Sequence, residues 1–322
     1  MADAPELSVV VPAFNEQDNV PPMAERLGAA LEGITDGFEI VFVDDGSSDA
    51  TWERIVAAAA RDPRVRGVRF ARNFGHQAAL TAGVDAARGQ AVVIIDADLQ
   101  DPPEVVPELI ARWREGYEVV FAQREVREGE TWFKRTTAAL FYRVLRAITD
   151  VDIPIDTGDF RLMGPRAVAA FRALPERNRF IRGLVSWIGF PQAAVRYRRQ
   201  ARHAGETKYP LKKMLRFALD GITSFSFLPL RAATWTGFVI SVIAFLYILV
   251  VIGLKIAGIN WPGYTSLMAS ILFLGGVQLT MIGVLGEYLA RVFDEVKRRP
   301  LYLVGESTDG STPVVPPERP SS

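Results

Sequence analysis

The sequence predicts an α/β domain on a mostly parallel sheet, then an interfacial amphipathic helix and a two-span transmembrane hairpin. Three observations lead there. Apolar strand-like runs alternate with amphipathic helical stretches from residue 7 to 124, the pattern of a parallel sheet covered by helices on both faces. Two long uncharged stretches follow, between residues 232 and 286. Acidic and amide residues collect where the apolar runs end, and in open α/β sheets that is where ligands bind.

Taken in order, "LSVVVPAFN", "FEIVFVDDGS", "VRGVRFARN", "AVVIIDADLQ" and "YEVVFAQR" read as strands, with "PPMAERLGAALEGI" and "ATWERIVAAAARD" as helices between them. The strand ends carry Asn15 and Glu16, Asp44 and Asp45, Asn73 to Gln77, Asp96 and Asp98, and Arg124. Within "VVIIDADLQDPPE", Pro102 and Pro103 cannot donate ladder hydrogen bonds, so a central strand has to stop before them. In an extended backbone Asp96 and Asp98 share a face. Two carboxylates that close repel unless a cation sits between them or one is protonated. A solvated acidic turn is the alternative reading. In "DDGSSD", Asp49 or Ser48 suits the cap of the next helix, which leaves Asp44 free for a ligand. His76 either lines the same cleft or merely opens the helix after Gly75.

No residue from Ala232 to Leu254 is charged, and a second uncharged run extends from Ile256 to Gly286, broken near its start by "INWPGY". About 20 apolar residues cross a bilayer, so a hairpin spanning 233–256 and 266–288 is expected, with Trp235, Trp261 and Tyr264 at interfacial depth. Only Lys255 edges the turn. Arg231 precedes the first span, and Arg291, Lys297, Arg298 and Arg299 follow the second. The positive-inside rule then places the N-terminal domain and the tail in the cytoplasm, in a multi-pass protein of the inner (plasma) membrane. Ahead of the hairpin, "YPLKKMLRFALDG" sets Leu211, Met214, Leu215, Ala218 and Leu219 at helical spacing, with Lys212, Lys213 and Arg216 on other faces. Such a helix suits the cytoplasmic interface, its cations near anionic headgroups. The tail after Val304 is rich in Ser, Pro and Gly and is expected to be disordered.

Composition excludes several classes. With 37 basic and 37 acidic residues there is no global positive field for nucleic acid. Zero cysteines remove disulfides and thiolate chemistry, and two histidines make a histidine-rich zinc site a poor fit. "MADAPELSVVV" lacks a basic n-region, so no signal peptide is expected.

"VPAFNE", "VDDGSSD" and "DADLQDPPE" fall in order on the first, second and fourth strands, followed by "DTGDFRLMG" and "RHAGETKYPLKKM". This series resembles the family-2 glycosyltransferases of the GT-A fold, whose Rossmann-like sheet is mixed and mostly parallel. With the hairpin, it is most similar to polyprenyl-phosphate glycosyltransferases, over residues 7 to about 300. The resemblance implies domains at 1–205 (catalytic, cytoplasmic), 206–231 (juxtamembrane), 232–290 (hairpin) and 291–322 (basic and disordered tail). It implies an inverting transfer of a sugar, best read as glucose from UDP-glucose, to undecaprenyl phosphate. GDP-mannose and aminoarabinose-type donors remain alternatives, as does a membrane scaffold that binds sugar nucleotides without turnover. A homo-oligomer is also expected.

The resemblance further implies a divalent cation, Mg²⁺ or Mn²⁺, held by Asp96, Asp98 and Gln100, with Asp98 counted among the catalytic groups. Hard oxygen ligands suit such ions, and a cation on a departing diphosphate acts as a Lewis acid. Pro12, Ala13, Asn15, Glu16, Asp44, Asp45 and Asp96 resemble the nucleotide-sugar pocket, Asp44 meeting the base's imide N–H and Glu16 a ribose hydroxyl. Arg124, Arg135, Arg202 and Lys208 lie in segments similar to the acceptor side, where cations would bind the lipid phosphate. Asp159 resembles the residue that serves as base in some inverting enzymes. Asp159 is therefore counted as catalytic, the alternative with an anionic phosphate as nucleophile being a group that orients the acceptor or a sugar hydroxyl.

Overall fold

The computed structural model describes residues 4–125, 157–177, 179–199, 228–258 and 263–310. Five strands lie where the apolar runs put them: β1 (Leu7–Ala13), β2 (Phe38–Asp44), β3 (Val65–Phe70), β4 (Ala91–Ile94) and β5 (Val119–Arg124). Three more complete the sheet. β6 (Thr157–Met163) inserts between β4 and β5, antiparallel to both. β7 (Gln192–Tyr197) runs parallel to β5, and β8 (Val304–Ser307) antiparallel to β3. The order is β7-β5-β6-β4-β1-β2-β3-β8, with only β6 and β8 running against the rest.

Strand alternation sorts the side chains into two layers. Leu7, Val9 and Val11 of β1, with Ile40 and Phe42 of β2, pack against α1 (Val20–Leu31), α2 (Thr51–Arg61) and α4 (Val106–Arg114). Val10, Val92 and Ile94 face the other way, onto α3 (His76–Ala86), α5 (Pro165–Ala173) and α6 (Ile181–Trp187). A parallel sheet buried on both faces needs such unbroken apolar strands, and β1, β2 and β4 are buried throughout. Each fully buried Val, Leu, Ile or Phe contributes roughly 1.5–3 kcal/mol. α1 shows how a local sequence makes its helix: proline occupies its first turn, where no intrahelical donor is needed, and Val20, Met23, Leu27 and Leu31 repeat every three or four residues on the buried side.

Two long helices follow. α7 (Leu228–Ile256) and α8 (Tyr264–Lys297) are apolar enough to cross a membrane, and their described side chains are exposed along most of their length. Their 29 and 34 residues make them about 43 and 51 Å long, more than a hydrocarbon core of ~30 Å. The first helix covers the stretch in which the first span is expected. The second helix runs on past residue 288, and its last turns reach the α/β domain, where Glu295 Oε1 accepts the Arg177 N–H at 2.8 Å. The expected juxtamembrane helix lies outside the described residues, apart from 228–231, which open α7.

The tail departs from expectation. Residues 304–310, whose composition predicts disorder, form β8 and the turn after it. Their polar side chains find specific partners on and beside the open edge of β3: Thr308 exchanges hydrogen bonds with the Gly67 backbone, and Asp309 pairs with Arg66 of β3 and with Arg88, which precedes β4. Tyr302 stacks on Phe70 and Val304 is buried. Low apolar content therefore did not prevent order, because the sheet edge supplied both backbone partners and cations. Residues 311–322 lie outside the described set.

Candidate active site

The loops after β1 and β2 are laced to each other. The Asn15 N–H donates to Ser47 Oγ at 2.9 Å, and Asn15 Oδ1 accepts the Ser48 N–H at 3.0 Å. Asn15 sits at a left-handed φ of 56°, which asparagine tolerates better than most residues. The Glu16 N–H donates to Thr51 Oγ1 at 2.8 Å. Asp49 Oδ1 accepts the Thr51 N–H at 3.1 Å, a local turn just ahead of α2, whose cap position is Ala50 with no side-chain cap hydrogen bond, so neither Asp49 nor Ser48 caps the helix as expected. Pro12 and Ala13 are buried at the end of β1, and the Ala13 carbonyl accepts the Asp45 N–H at 2.9 Å.

The paired aspartates after β2 behave differently. Asp44 is wholly buried: Oδ1 accepts the Ser47 N–H at 2.9 Å, and Oδ2 lies 3.4 Å from Arg69 Nε. Asp45 accepts backbone N–H groups of Phe74, at 2.7 Å, and Gly75, at 3.0 Å. Its carboxyl is raised above the ordinary value by burial, against those same hydrogen bonds. Asp45 thereby ties the β2 loop to the entry of α3. Gly46 permits the approach, having a φ of 68° and a backbone that would place any Cβ 2.5 Å from the Arg72 carbonyl carbon.

Strand β4 ends at Ile94, and Asp96 to Gln100 form a turn, not an extended run. Asp96 and Asp98 therefore do not share a strand face as expected. The turn brings them near each other instead, and Leu99 holds a left-handed φ of 57°, which costs on the order of 1 kcal/mol. Asp98 and Gln100 are nearly buried, and Asp98 Oδ1 accepts the Gln100 N–H at 3.1 Å. Asp96 Oδ1 is buried with no hydrogen bond among the described residues. Burial first, then the charges of Asp159, Asp101 and Asp98, raise the Asp96 carboxyl to about 6, against the opposing pull of His76.

His76, the first residue of α3, binds this cluster together. Its Nε2 lies 3.2 Å from Asp159 Oδ2 and 3.6 Å from Asp96 Oδ1. Burial disfavours the imidazolium, yet the Asp159 hydrogen bond and the two carboxylate charges outweigh it and lift His76 to about 9. Asp159, on β6, also takes Arg182 Nε on Oδ1 at 2.9 Å. Burial alone would raise the Asp159 carboxyl, but His76 and Arg182 prevail and hold it well below the usual carboxylate range. Beneath lies Arg161, nearly buried and donating to the backbone carbonyls of Gly158 and Asp159 at 3.0 and 3.3 Å. Burial pulls its guanidinium down to about 10.

On the other flank, Asp101 is fully buried and accepts from the Tyr197 hydroxyl. Arg124 Nη2 and Arg199 Nε approach the same carboxylate at 3.5 and 3.4 Å, and Arg124 Nε donates to the Tyr197 oxygen at 3.1 Å. Of the four expected acceptor cations, Arg124 is placed here, at the carboxyl end of β5. Arg135, Arg202 and Lys208 lie outside the described residues.

The structure therefore gathers Asp96, Asp98, Gln100, Asp159 and Arg124 at one end of the sheet, with residues 12–16 and 44–45 beside them. Sequence reasoning left His76 undecided and did not single out Arg182 or Arg199 for the site. The position of His76 straight after Gly75, in a loop facing two acidic strand ends, was the available signal. Arg182 sits on a short helix whose own sequence carries no motif.

Residues 8–170 match the model of the glycosyl transferase family 2, and residues 228–292 that of the GtrB C-terminal hairpin. The chain is 50% identical to the glycosyltransferase YkcC of Bacillus subtilis (strain 168), over 94% of each chain. It is 45% identical to the SfII prophage-derived bactoprenol glucosyl transferase of Shigella flexneri, covering 95% of this chain and 99% of that one. The prophage bactoprenol glucosyl transferase homolog of Escherichia coli (strain K12) is 44% identical, covering 93% and 98%.

Proposed function

The chain belongs to the family-2 glycosyltransferases, of GT-A fold, and from that premise we propose that it transfers glucose from UDP-glucose to the phosphate of a polyprenyl phosphate. The reaction takes place at the cytoplasmic face of the inner membrane and inverts the anomeric configuration. Similarity to bactoprenol glucosyl transferases along nearly the whole chain, hairpin included, supports the substrate pair. The observation that carries the chemistry is the Asp96 carboxylate, partly buried among Asp98, Asp101 and Asp159 with one oxygen lacking a hydrogen bond.

Such a carboxylate cluster fits a divalent cation. Asp96 and Asp98 would hold it, with Gln100 contributing, and a bound Mg²⁺ or Mn²⁺ supplies Lewis-acid stabilisation of the departing diphosphate. Among the described residues no three His, Asp or Glu side chains converge as a ready-made metal centre. Pro12, Ala13, Asn15 and Glu16 form the nucleoside side of the pocket, with Asp44 under its base end and Asp45 holding the loops that shape it. An acceptor phosphate is anionic near neutral pH and attacks without a general base. Asp159 suits orientation better than proton abstraction, because a carboxylate held as an anion by His76 and Arg182 is a weak base. Arg124, with Arg135, Arg202 and Lys208, binds the acceptor phosphate.

The hairpin α7–α8 holds the domain at the bilayer. Arg231, Arg291, Lys297, Arg298 and Arg299 flank it on one side and Lys255 alone edges the other, which supports a cytoplasmic catalytic domain. The test is transfer by the full-length protein in nanodiscs to undecaprenyl phosphate, comparing labelled UDP-glucose, GDP-mannose and UDP-galactose. Glucose transfer is expected. Mannose transfer from GDP-mannose would reassign the donor, and hydrolysis or binding without a lipid-linked product would remove the acceptor assignment.

A further inference from the structure

After the hairpin the chain re-enters the catalytic domain beside the donor pocket. β8 pairs with the open edge of β3 so that Glu306 stands opposite Arg69, and on the other side of β3 Arg69 stands opposite Asp44. Three neighbouring strands thus give one charged residue each to a single cross-strand row. Glu306 Oε1 accepts from Arg69 Nη1 at 3.0 Å, and Glu306 Oε2 accepts from the Trp52 indole at 2.9 Å. Arg69 Nε remains 3.4 Å from Asp44 Oδ2, a buried oxygen with no hydrogen bond among the described residues. Trp52 follows Thr51, whose hydroxyl holds the Glu16 amide. The packing is close here: a Cβ on Gly67 would lie 2.5 Å from Ile55 Cγ2 and 3.1 Å from Thr308 Cγ2.

We infer that the segment beyond the membrane hairpin belongs to the donor site, with Glu306 a positioning residue that fixes Arg69 against Asp44 and so sets nucleotide affinity. This rests on the reading of residues 12–16 and 44 as the nucleoside pocket. A buried carboxylate depends on its cation, and removing the cation leaves an uncompensated charge. Arg69 has a long, rotamer-rich side chain, and one 3.4 Å approach does not by itself hold it in place. Glu306 does so from the far side, with its second oxygen fixed by Trp52. The same segment supplies a control. Asp309 pairs with Arg66 at 2.8 Å and Arg88 at 3.0 Å, docking the tail at a distance along the edge from Asp44.

The experiment is calorimetric titration of UDP with Mn²⁺ into the full-length protein in nanodiscs, alongside KM for undecaprenyl phosphate and Tm. Glu306→Gln is isosteric at a half-exposed position and is expected to weaken UDP binding about three- to fivefold, the upper part of the range for an exposed ion pair, with acceptor KM unchanged. Arg69→Lys, which keeps the charge and loses the fork, should weaken UDP similarly. Asp309→Asn should lower Tm and leave UDP affinity intact. Wild-type UDP affinity in Glu306→Gln would overturn the inference, and so would an equal UDP loss in Asp309→Asn, which would make docking alone responsible. A wild-type chain that binds no UDP would instead sink the nucleotide reading on which the inference stands.

Discussion

Asp96 and Asp98 sit in a strained turn where like charges crowd, so their removal separates function from stability. Asp96→Asn and Asp98→Asn should each cut glucosyl transfer by about a hundredfold or more, the scale of losing a preorganised electrostatic contact to the leaving group. Tm should hold or rise, since neutralising one member relieves repulsion around Asp96. Normal transfer by either variant at limiting metal would remove both from the cation site. His76 gives a second residue-scale prediction. Its folded value of about 9 lies above the ordinary 6.5, so its stabilising contribution is complete below about pH 6.5 and is lost as pH rises towards 9. Asp159, held low, contributes above its ordinary value and loses that contribution only as pH falls into the acid range. In metal-free protein, Tm should therefore decline between pH 7 and 9, and His76→Asn should flatten that decline. An identical slope in the variant would dissociate His76 from the carboxylates. The Asp96 cluster was legible in the sequence because apolar residues run straight into acids and prolines. Arg182 and Tyr197 were not, because each reaches the site from a distant element and no local pattern marks a partner that only the fold brings near.

At the scale of elements, the apolar runs located β1 to β5, since strands buried on both faces leave an unmistakable hydrophobic trace. β6 and β7 are less marked: "TGDFRLM" mixes an acid and an arginine into a strand whose polar members serve the site, and "QAAVRY" is half-exposed. β8 was hidden altogether, because its order comes from arginines on β3 and the α3–β4 connection and from the Trp52 indole of α2, and not from its own apolar content. That dependence is measurable. Ending the chain after Arg299 removes β8 and the Tyr302 stack on Phe70, and opens the β3 edge. Tm should fall by roughly 5 °C or more, and the uncovered edge should promote aggregation. An unchanged Tm with no aggregation would mean the tail is bound too weakly to belong to the sheet.

For the molecule as a whole, the catalytic domain does not end where the hairpin begins. The sequence suggested a division near residue 205 with a loose tail, but the sheet takes its last strand from beyond the second span, and Glu295 at the end of α8 holds Arg177. Cutting the chain before the hairpin would therefore remove a strand of the sheet and damage the domain left behind. The informative variant keeps both sides: α7 and α8 replaced by a flexible Gly/Ser linker, with residues 300–310 retained. Every residue assigned to the nucleoside pocket and the cation lies outside the hairpin, so UDP affinity should stay within about twofold of wild type. Transfer to a long-chain polyprenyl phosphate in vesicles should drop severely, because enzyme and lipid then meet only by bulk encounter, without the effective concentration that anchoring gives. A short, water-soluble polyprenyl phosphate should restore much of the rate, since its phosphate needs only the cations assigned to it outside the hairpin. Loss of transfer to both acceptors with UDP binding intact would show that the hairpin shapes the acceptor site itself, and loss of UDP binding in a folded variant would show that it shapes the donor site.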